Sequence, residues 1–319
     1  MSGGRPVAAG LLIGYAADRA FGDPRRGHPV ALFGSTMLAL EARIWSDDRP
    51  AGVAYAAAGA ALATLPVLVL DRAARERPLA RTALTAAVAW AAIGGRSLAG
   101  AGRDIGGLVA AGDLDGARAL APTLVGRDPA TLDGAGLARA GLESVAENTS
   151  DAVVAPLVWG AVLGAPGVAL HRALNTMDAM VGHHSDRYER FGWASARADD
   201  AAGWPAARLA ALVTGAVAGT VGGSPVGAWR AWWRDGAAHP SPNAGRVEAA
   251  FAGALGVRLG GRNVYGGRVE ERPVLGDGPG TRDPAAADLE RAAALSLRVG
   301  TATALVCAAT VLLRGRLAR

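Results

Sequence analysis

"GLESVAENTSDAVVAPLVWGAVLGAPGVAL", residues 141–170, joins a run of acids to a run with no formal charge. In a helix Glu143, Glu147 and Asp151 follow one another at i, i+4 and i+8, so their carboxylates stay near one face. Three acids on one face repel. Such a face is either fully solvated or set against a cation or basic ligand, and Asn148 adds a neutral carbonyl oxygen suited to a hard ion. Residues 152–170 carry no formal charge, a poor place to begin a merely wet surface. Were that run to span a membrane, the polar clusters on either side would face opposite compartments. Pro156, Gly160, Gly164, Pro166 and Gly167 interrupt it, which favours a bent or partly buried segment of the kind that lines a cavity. One shared site is therefore expected. The second polar cluster begins with Asn175 and Asp178, spaced i, i+3, and continues through His183, His184, Asp186, Arg187, Asp199 and Asp200. The two histidines lack a partner spacing for zinc.

Composition agrees with a membrane setting. The chain has 319 residues, 51% of them hydrophobic, and its mean hydropathy of +0.21 exceeds what an ordinary soluble protein needs. All 33 basic residues are arginine, so a lysine Schiff base and a lysine-bearing phosphate loop are both excluded. Any phosphate must be held by arginine, backbone or metal. The eight tryptophans read as interfacial anchors rather than base-stacking platforms, and no nucleic-acid partner is expected. The one cysteine, Cys307, sits in an apolar segment and can form no intrachain disulfide.

In chain order, residues 6–17 are an apolar run too short to span comfortably, expected to be a retained, partly inserted helix rather than a signal peptide. His28 precedes Pro29, which argues for a loop, where it binds phosphate, moves a proton or caps a turn. Residues 51–70 form the best span of the first half, with Pro66 as a kink. The arginine-rich stretch 71–81 then falls on the cytoplasmic side, and 82–95 reads as a buried or re-entrant helix. Residues 96–151 read as a cytoplasmic helical layer with short amphipathic helices such as 114–124. Arg96 follows two glycines and Arg127 follows Gly126, so each either clamps a phosphate or serves as a surface or capping arginine. Residues 209–229 are another spanning candidate, followed by an interfacial "RAWWRDG". Residues 236–288 read as a Gly/Pro-rich loop region, with a rigid "HPSPN" at 239–243 and a glycine-rich tract at 245–267. A final helix at about 289–313 precedes Arg314, Arg316 and Arg319, consistent with a cytoplasmic C-terminus. The fold class is mainly α: a single polytopic integral membrane helical protein over 1–319, with a cytoplasmic helical and loop layer.

"VAENTSDAVVAPL" (145–157), "NTMDAMVGH" (175–183) and "SARADD" (195–200) resemble signature segments of the adenosylcobinamide-phosphate synthase family, CobD/CbiB. "FGDPRRGHPVALFG" (21–34) is similar to the family's Gly-Asp-Pro and His-Pro-Val opening. "GRSLA" (95–99), "VGRD" (125–128), "SPNAG" (241–245) and "GALGVRLGGRNVYGG" (253–267) follow in family order. The resemblance covers nearly the whole chain and rests on the number and order of these motifs rather than on any single one.

The resemblance implies an ATP-dependent acid–amine ligase of the cell membrane, crossing it several times. Its substrates would be the carboxylate of adenosylcobyric acid and an aminoalcohol, aminopropanol phosphate or ethanolamine phosphate, with ATP and Mg²⁺. Placed on the family-like motifs, that chemistry assigns metal to Glu147, Asn148, Asp151 and Asp178. Phosphate and substrate go to Arg96, Arg127, Asn175, Arg197, Ser241 and Asn243, and proton transfer to Glu143 or His28. The lipid bilayer and other corrinoid-pathway enzymes are the further partners implied. A multi-span corrinoid transporter, a non-catalytic membrane scaffold for corrinoid enzymes and a Mg²⁺-diphosphate prenyl-transfer enzyme are the rivals.

Overall fold

The computed structural model describes residues 4–24, 27–126, 128–265 and 268–317. Helix dominates it, at 76%, as the mainly-α expectation requires. The first helices are α1 (Gly4–Phe21), α2 (Pro29–Ile44), α3 (Arg49–Ala73), α4 (Pro78–Ala92), α5 (Gly95–Ala110), α6 (Leu114–Leu120) and α7 (Gly134–Thr149). A π-helical turn, Ser150–Val154, continues α7 into α8 (Ala155–Leu163), followed by α9 (Ala165–Val181) and α10 (Trp193–Val217). Then come α11 (Pro225–Asp235), α12 (Ala244–Leu255), the strands β1 (Leu259–Tyr265) and β2 (Arg268–Leu275), and α13 (Ala286–Leu317).

Local chemistry sets the boundaries. His28 Nδ1 accepts from Val30 N at 3.2 Å with Pro29 in the first turn, so α2 begins there. Asp48 caps α3 through Ala51 N at 2.8 Å, and Asp133 caps α7 through Gly136 N at 2.7 Å. Gly164, at φ +72°, ends α8, and Pro166 opens α9 two residues later, so the uncharged run is broken as its glycines and prolines suggest.

Three helical stretches are long and apolar enough to cross a membrane: Arg49–Ala73, Trp193–Val221 and Ala286–Leu317. Val53, Leu62, Leu65, Val69 and Leu70 lie exposed on the first of them. The expected span at 209–229 is corrected. Its apolar helix starts earlier, at Trp193, and closes in a 3₁₀ turn, Ala218–Val221. Gly222, at φ +67°, then turns the chain, and Ser224 Oγ caps a new helix, α11, by accepting from Gly227 N at 2.9 Å.

The chain forms two compact units. The first comprises Met1–Gly94, Asp151–Pro205 and Ala304–Arg319. In it α9 packs against α2, α3, α4 and α8, and α1 packs along α4. One core gathers Leu11, Ile93, Val153, Leu157 and Val168 with Cys307, which is buried as its apolar setting predicts. A second gathers Met37, Tyr55, Met177, Val181 and Phe191. Beside it, buried Glu41 holds the 182–192 segment: its Oε1 accepts from Arg187 Nη2 at 3.0 Å and from Tyr188 Oη at 2.9 Å.

The second unit comprises Gly95–Ser150 and Ala206–Thr303. Here α5 packs against α6 and α7, α11 against α12, and the antiparallel β1–β2 hairpin against α7, α11 and α12. The Gly/Pro-rich loop expected over 236–288 is thus largely structured. Its apolar residues 247–255 build the buried face of α12, and the glycines of 260–261 adopt positive φ at a register irregularity inside the hairpin.

Candidate active site

Four separated stretches meet in the first unit. Trp90 Nε1 donates to Gly22 O at 3.0 Å, which ties the Gly22-Asp23-Pro24 turn to α4. At the end of α4, Gly94 N donates to Ala152 O at 3.2 Å and joins that corner to the π-helical turn. A Cβ placed on Gly94 would lie 3.8 Å from both Asp23 carboxylate oxygens, in ordinary contact, so Asp23 faces this corner. His28, after capping α2 with Nδ1, turns its Nε2 to within 3.8 Å of Asp23 Oδ1.

Arg172 on α9 lies among these groups. Burial pulls its guanidinium below the usual arginine range, and the carboxylates of Asp23 and Asp151 oppose that shift. Its Nη1 lies 3.5 Å from Asn175 Oδ1, and its Nε is buried without a hydrogen-bond partner. The same side chain, Thr36 and Thr176 supply polar groups to the wall of an otherwise apolar groove of about 550 Å³, formed with Phe33, Leu62 and Val88. Two carboxylates, one guanidinium, an amide and an imidazole beside an apolar groove form a site able to hold phosphate and oxygen-bound metal next to a large apolar substrate.

Asp151 lies within the π-helical turn Ser150–Val154, which follows the helix that carries Glu143 and Glu147. Glu143 is buried in the second unit, where its Oε1 accepts from Gly260 N at 2.7 Å and anchors the hairpin. Glu147 and Asn148 lie half-buried on α7 in the same unit, and Asn148 Nδ2 donates to Ser144 O at 2.9 Å. Asp178 sits at the C-terminal end of α9, where its carbonyl accepts from Gly182 N at 2.6 Å.

The remaining expected residues are spread between the units. Arg96 is exposed in the first turn of α5, and Arg127 lies outside the described residues. Arg197 is exposed on α10, 3.9 Å from Asp200. Ser241 Oγ accepts from Asn243 N at 3.3 Å and Ala244 N at 3.2 Å, while Asn243 Oδ1 accepts from Arg208 Nη1 at 3.0 Å. His183 packs its ring edge to face with Tyr188, and His184 Nδ1 pairs with Glu189 at 2.9 Å. Among the described residues no group of three or more His, Cys, Asp or Glu side chains is gathered as a metal cage.

Asp23 and Arg172 were not singled out by spacing. The signal for Arg172 was present nonetheless: His171 and Arg172 end the long uncharged run, and a cation placed there calls for a counter-charge. Asp23 stands in a quoted motif, but its partner lies about 150 positions away in sequence, beyond any local spacing rule.

A family described as "CobD/Cbib protein" matches residues 11–296. The chain is 52% identical over 317 residues to "Cobalamin biosynthesis protein CobD" of Mycobacterium tuberculosis, covering 97% of each chain. It is 41% identical to proteins of the same name from Geobacter metallireducens, over 85% of this chain and 87% of the relative, and from Rhodobacter capsulatus, over 94% and 96%. No solved structure matches.

Proposed function

From the premise that the chain belongs to the CobD/CbiB family and has a role in cobalamin biosynthesis, we propose that it is an ATP-dependent ligase joining an aminoalcohol to the carboxylate of adenosylcobyric acid. The observation that carries this reading is the meeting of Asp23, His28, Asp151, Arg172 and Asn175 beside an apolar groove. We place the protein in the cell membrane, crossing it several times, on the strength of its apolar helices.

A carboxylate is a poor acyl donor because its leaving group would be an oxide. In the proposed sequence a carboxylate oxygen attacks the γ-phosphorus of ATP, ADP leaves, and an acyl phosphate forms. The amine then attacks the carbonyl carbon, the C–O bond to phosphate breaks, orthophosphate departs and the amine's proton passes to a base. Arg172 suits the phosphate oxygens, because a planar guanidinium neutralises and orients them together. Asn175 lies beside it as a neutral polar contact. For His28 to take the proton it would have to release its cap on Val30 N, because with Nδ1 accepting there the neutral ring carries its proton on Nε2. Glu143, committed to Gly260 N–H, is the weaker choice.

Magnesium in nucleotide sites keeps several waters and takes one or two carboxylates together with the phosphates, so a preformed cage is not required. In this reading Asp151 and Asp178 of the first unit would be its oxygen ligands, while Glu147 and Asn148, which the family resemblance also assigns to metal, lie in the second unit. When bound, the ion would neutralise charge on the phosphates.

Membranes containing the protein, given adenosylcobyric acid, ATP, Mg²⁺ and aminopropanol phosphate, should yield a corrinoid whose mass rises by one amide condensation. Repeating the assay with free aminopropanol and with ethanolamine phosphate identifies the amine. No product with any amine, from membranes shown to contain folded protein, would overturn the ligase reading and favour a transporter or a scaffold.

A further inference from the structure

The formal charge excess of the chain is gathered at one end of the first unit. There α1 and α4 run side by side in the same direction, since a Cβ on Gly10 would meet Thr85 and one on Gly14 would meet Ala89. The starts of both helices therefore lie together. The end of α13 joins them, because a Cβ on Gly4 would lie 3.7 Å from Gly315 Cα. The end of α3 joins them too, through the turn in which Arg77 N donates to Ala74 O at 2.9 Å and the ion pair of Arg81 with Asp71 at 2.9 Å. These four helix ends carry six exposed arginines, Arg5, Arg72, Arg75, Arg77, Arg314 and Arg316, besides the paired Arg81. Against seven arginines stand two acids, Asp71 and Glu76, a net charge of +5. The whole chain also carries +5, so its other charges cancel and this end holds the excess.

Apolar surface reaches the same end. Leu79 is 86% exposed and Leu317 89%, while Leu70 and Leu313 are exposed within two residues of Arg72 and Arg314. The helices α3 and α13, which end here, are among the stretches long and apolar enough to cross a membrane. Between the starts of α1 and α4 lies a cleft of about 350 Å³, lined by Arg5, Pro6, Ala9, Pro78, Leu79 and Thr82. It sets a cation against apolar walls, and Arg77 directly precedes one of those walls. An acidic protein or a nucleic acid would use the charge and leave the leucines in water. An anionic amphiphile at a membrane surface uses both, its phosphate meeting arginine and its chain meeting leucine.

We propose that this end of the first unit binds anionic phospholipid, with the headgroup phosphate at Arg5 and Arg77 and the start of an acyl chain in the cleft against Leu79. The proposal rests on the membrane placement given above and goes beyond it by naming the lipid. Arginine suits the task because its planar fork donates two N–H groups to phosphate oxygens at once. Each basic residue beside an anionic membrane surface is worth about fivefold in affinity.

The full chain in neutral detergent is titrated by calorimetry with short-chain phosphatidylglycerol and phosphatidylcholine, each below its micellar concentration. Phosphatidylglycerol should bind about tenfold more tightly or better. Arg5→Gln combined with Arg77→Gln should weaken phosphatidylglycerol by about twentyfold and leave phosphatidylcholine unchanged, whereas lysine at both positions should keep most of the affinity. Leu79→Gln should weaken both lipids, because they share the chain. All three residues are exposed, so these variants should melt at the wild-type temperature in lipid-free detergent. Equal affinity of the wild type for the two lipids would overturn the proposal, as would phosphatidylglycerol affinity within twofold of wild type in the Arg5→Gln, Arg77→Gln variant. Flotation with phosphatidylcholine vesicles tests the membrane placement separately. A chain that enters the vesicles but shows neither lipid effect overturns this proposal alone, and a chain that stays out of them overturns the placement and the proposal together.

Discussion

Asp151 and Arg172 should be thermodynamically coupled, and a double-mutant cycle reads that coupling directly. Arg172→Met keeps the length of the side chain and removes the charge that the Asp23 and Asp151 carboxylates favour. A wholly buried ion left alone costs about 3–5 kcal/mol. Arg172 is half-buried and the Asp23 side chain is 36% exposed, so water screens part of that cost and about 2–3 kcal/mol is expected here. Asp151→Asn removes one partner of the cation and should cost about 1–2 kcal/mol. With both changes made there is no cation for residue 151 to meet, so the double variant should be more stable than the sum of the single losses by about 1–2 kcal/mol. Denaturant titration of the purified protein in detergent gives the three differences. The same preparations should lose about a hundredfold in kcat/KM for amide formation on Arg172→Met, since a cation aimed at transferring phosphate is worth that order. Additivity of the two changes within about 0.5 kcal/mol would refute the cluster as drawn.

Three further outcomes follow from the geometry. A methyl at Gly52 would overlap the Phe191 carbonyl, so Gly52→Ala should destabilise by about 1–3 kcal/mol; Gly100→Ala, with nothing within 4 Å of the added carbon, should be neutral or stabilise slightly in the same thermal melts. Arg187→Met removes the partner of buried Glu41 and a cation–π contact at 4.5 Å over Trp45, and should lower the melting temperature. Protease cleavage within 182–192 should quicken as that segment loosens. His239 has its folded pKa at about 4 against an ordinary 6.5, so the unfolded chain binds a proton the folded one refuses across that window. The associated stability is present above pH 6.5 and is lost as pH falls towards 4, by about 3 kcal/mol at most. A His239→Gln variant should show a correspondingly flatter melting temperature from pH 7 to pH 4.5.

Much of the fold was legible because its causes are local. His28-Pro29 and Asp48 start helices by capping, and Gly164 with Pro166 breaks one, each within a few residues of the signal. The helices Arg49–Ala73 and Ala286–Leu317 are legible from apolar length, uncharged over 51–70 in the first and over 299–313 in the last. The 209–229 stretch misled because its residues are uncharged throughout, while the decision lies in Gly222-Gly223 and in the cap at Ser224. The hairpin hid among glycines, because β1 and β2 are defined by pairing with each other rather than by alternating hydrophobicity. Asp151 was found by its charge, but the π-helical turn in which it lies has no residue signature. Arg172 was missed because it gains its meaning from a partner distant in sequence, Asp23.

The most direct test of acyl activation is isotopic. Adenosylcobyric acid labelled with oxygen-18 in its free carboxylate, incubated with the protein, ATP, Mg²⁺ and the amine that supports turnover, should release orthophosphate carrying one labelled oxygen per amide formed. That label can reach phosphate only if a carboxylate oxygen attacked the γ-phosphorus and left with it. Amide formed with unlabelled orthophosphate would contradict the acyl phosphate route, and ATP consumed without any amide would contradict the ligase assignment itself.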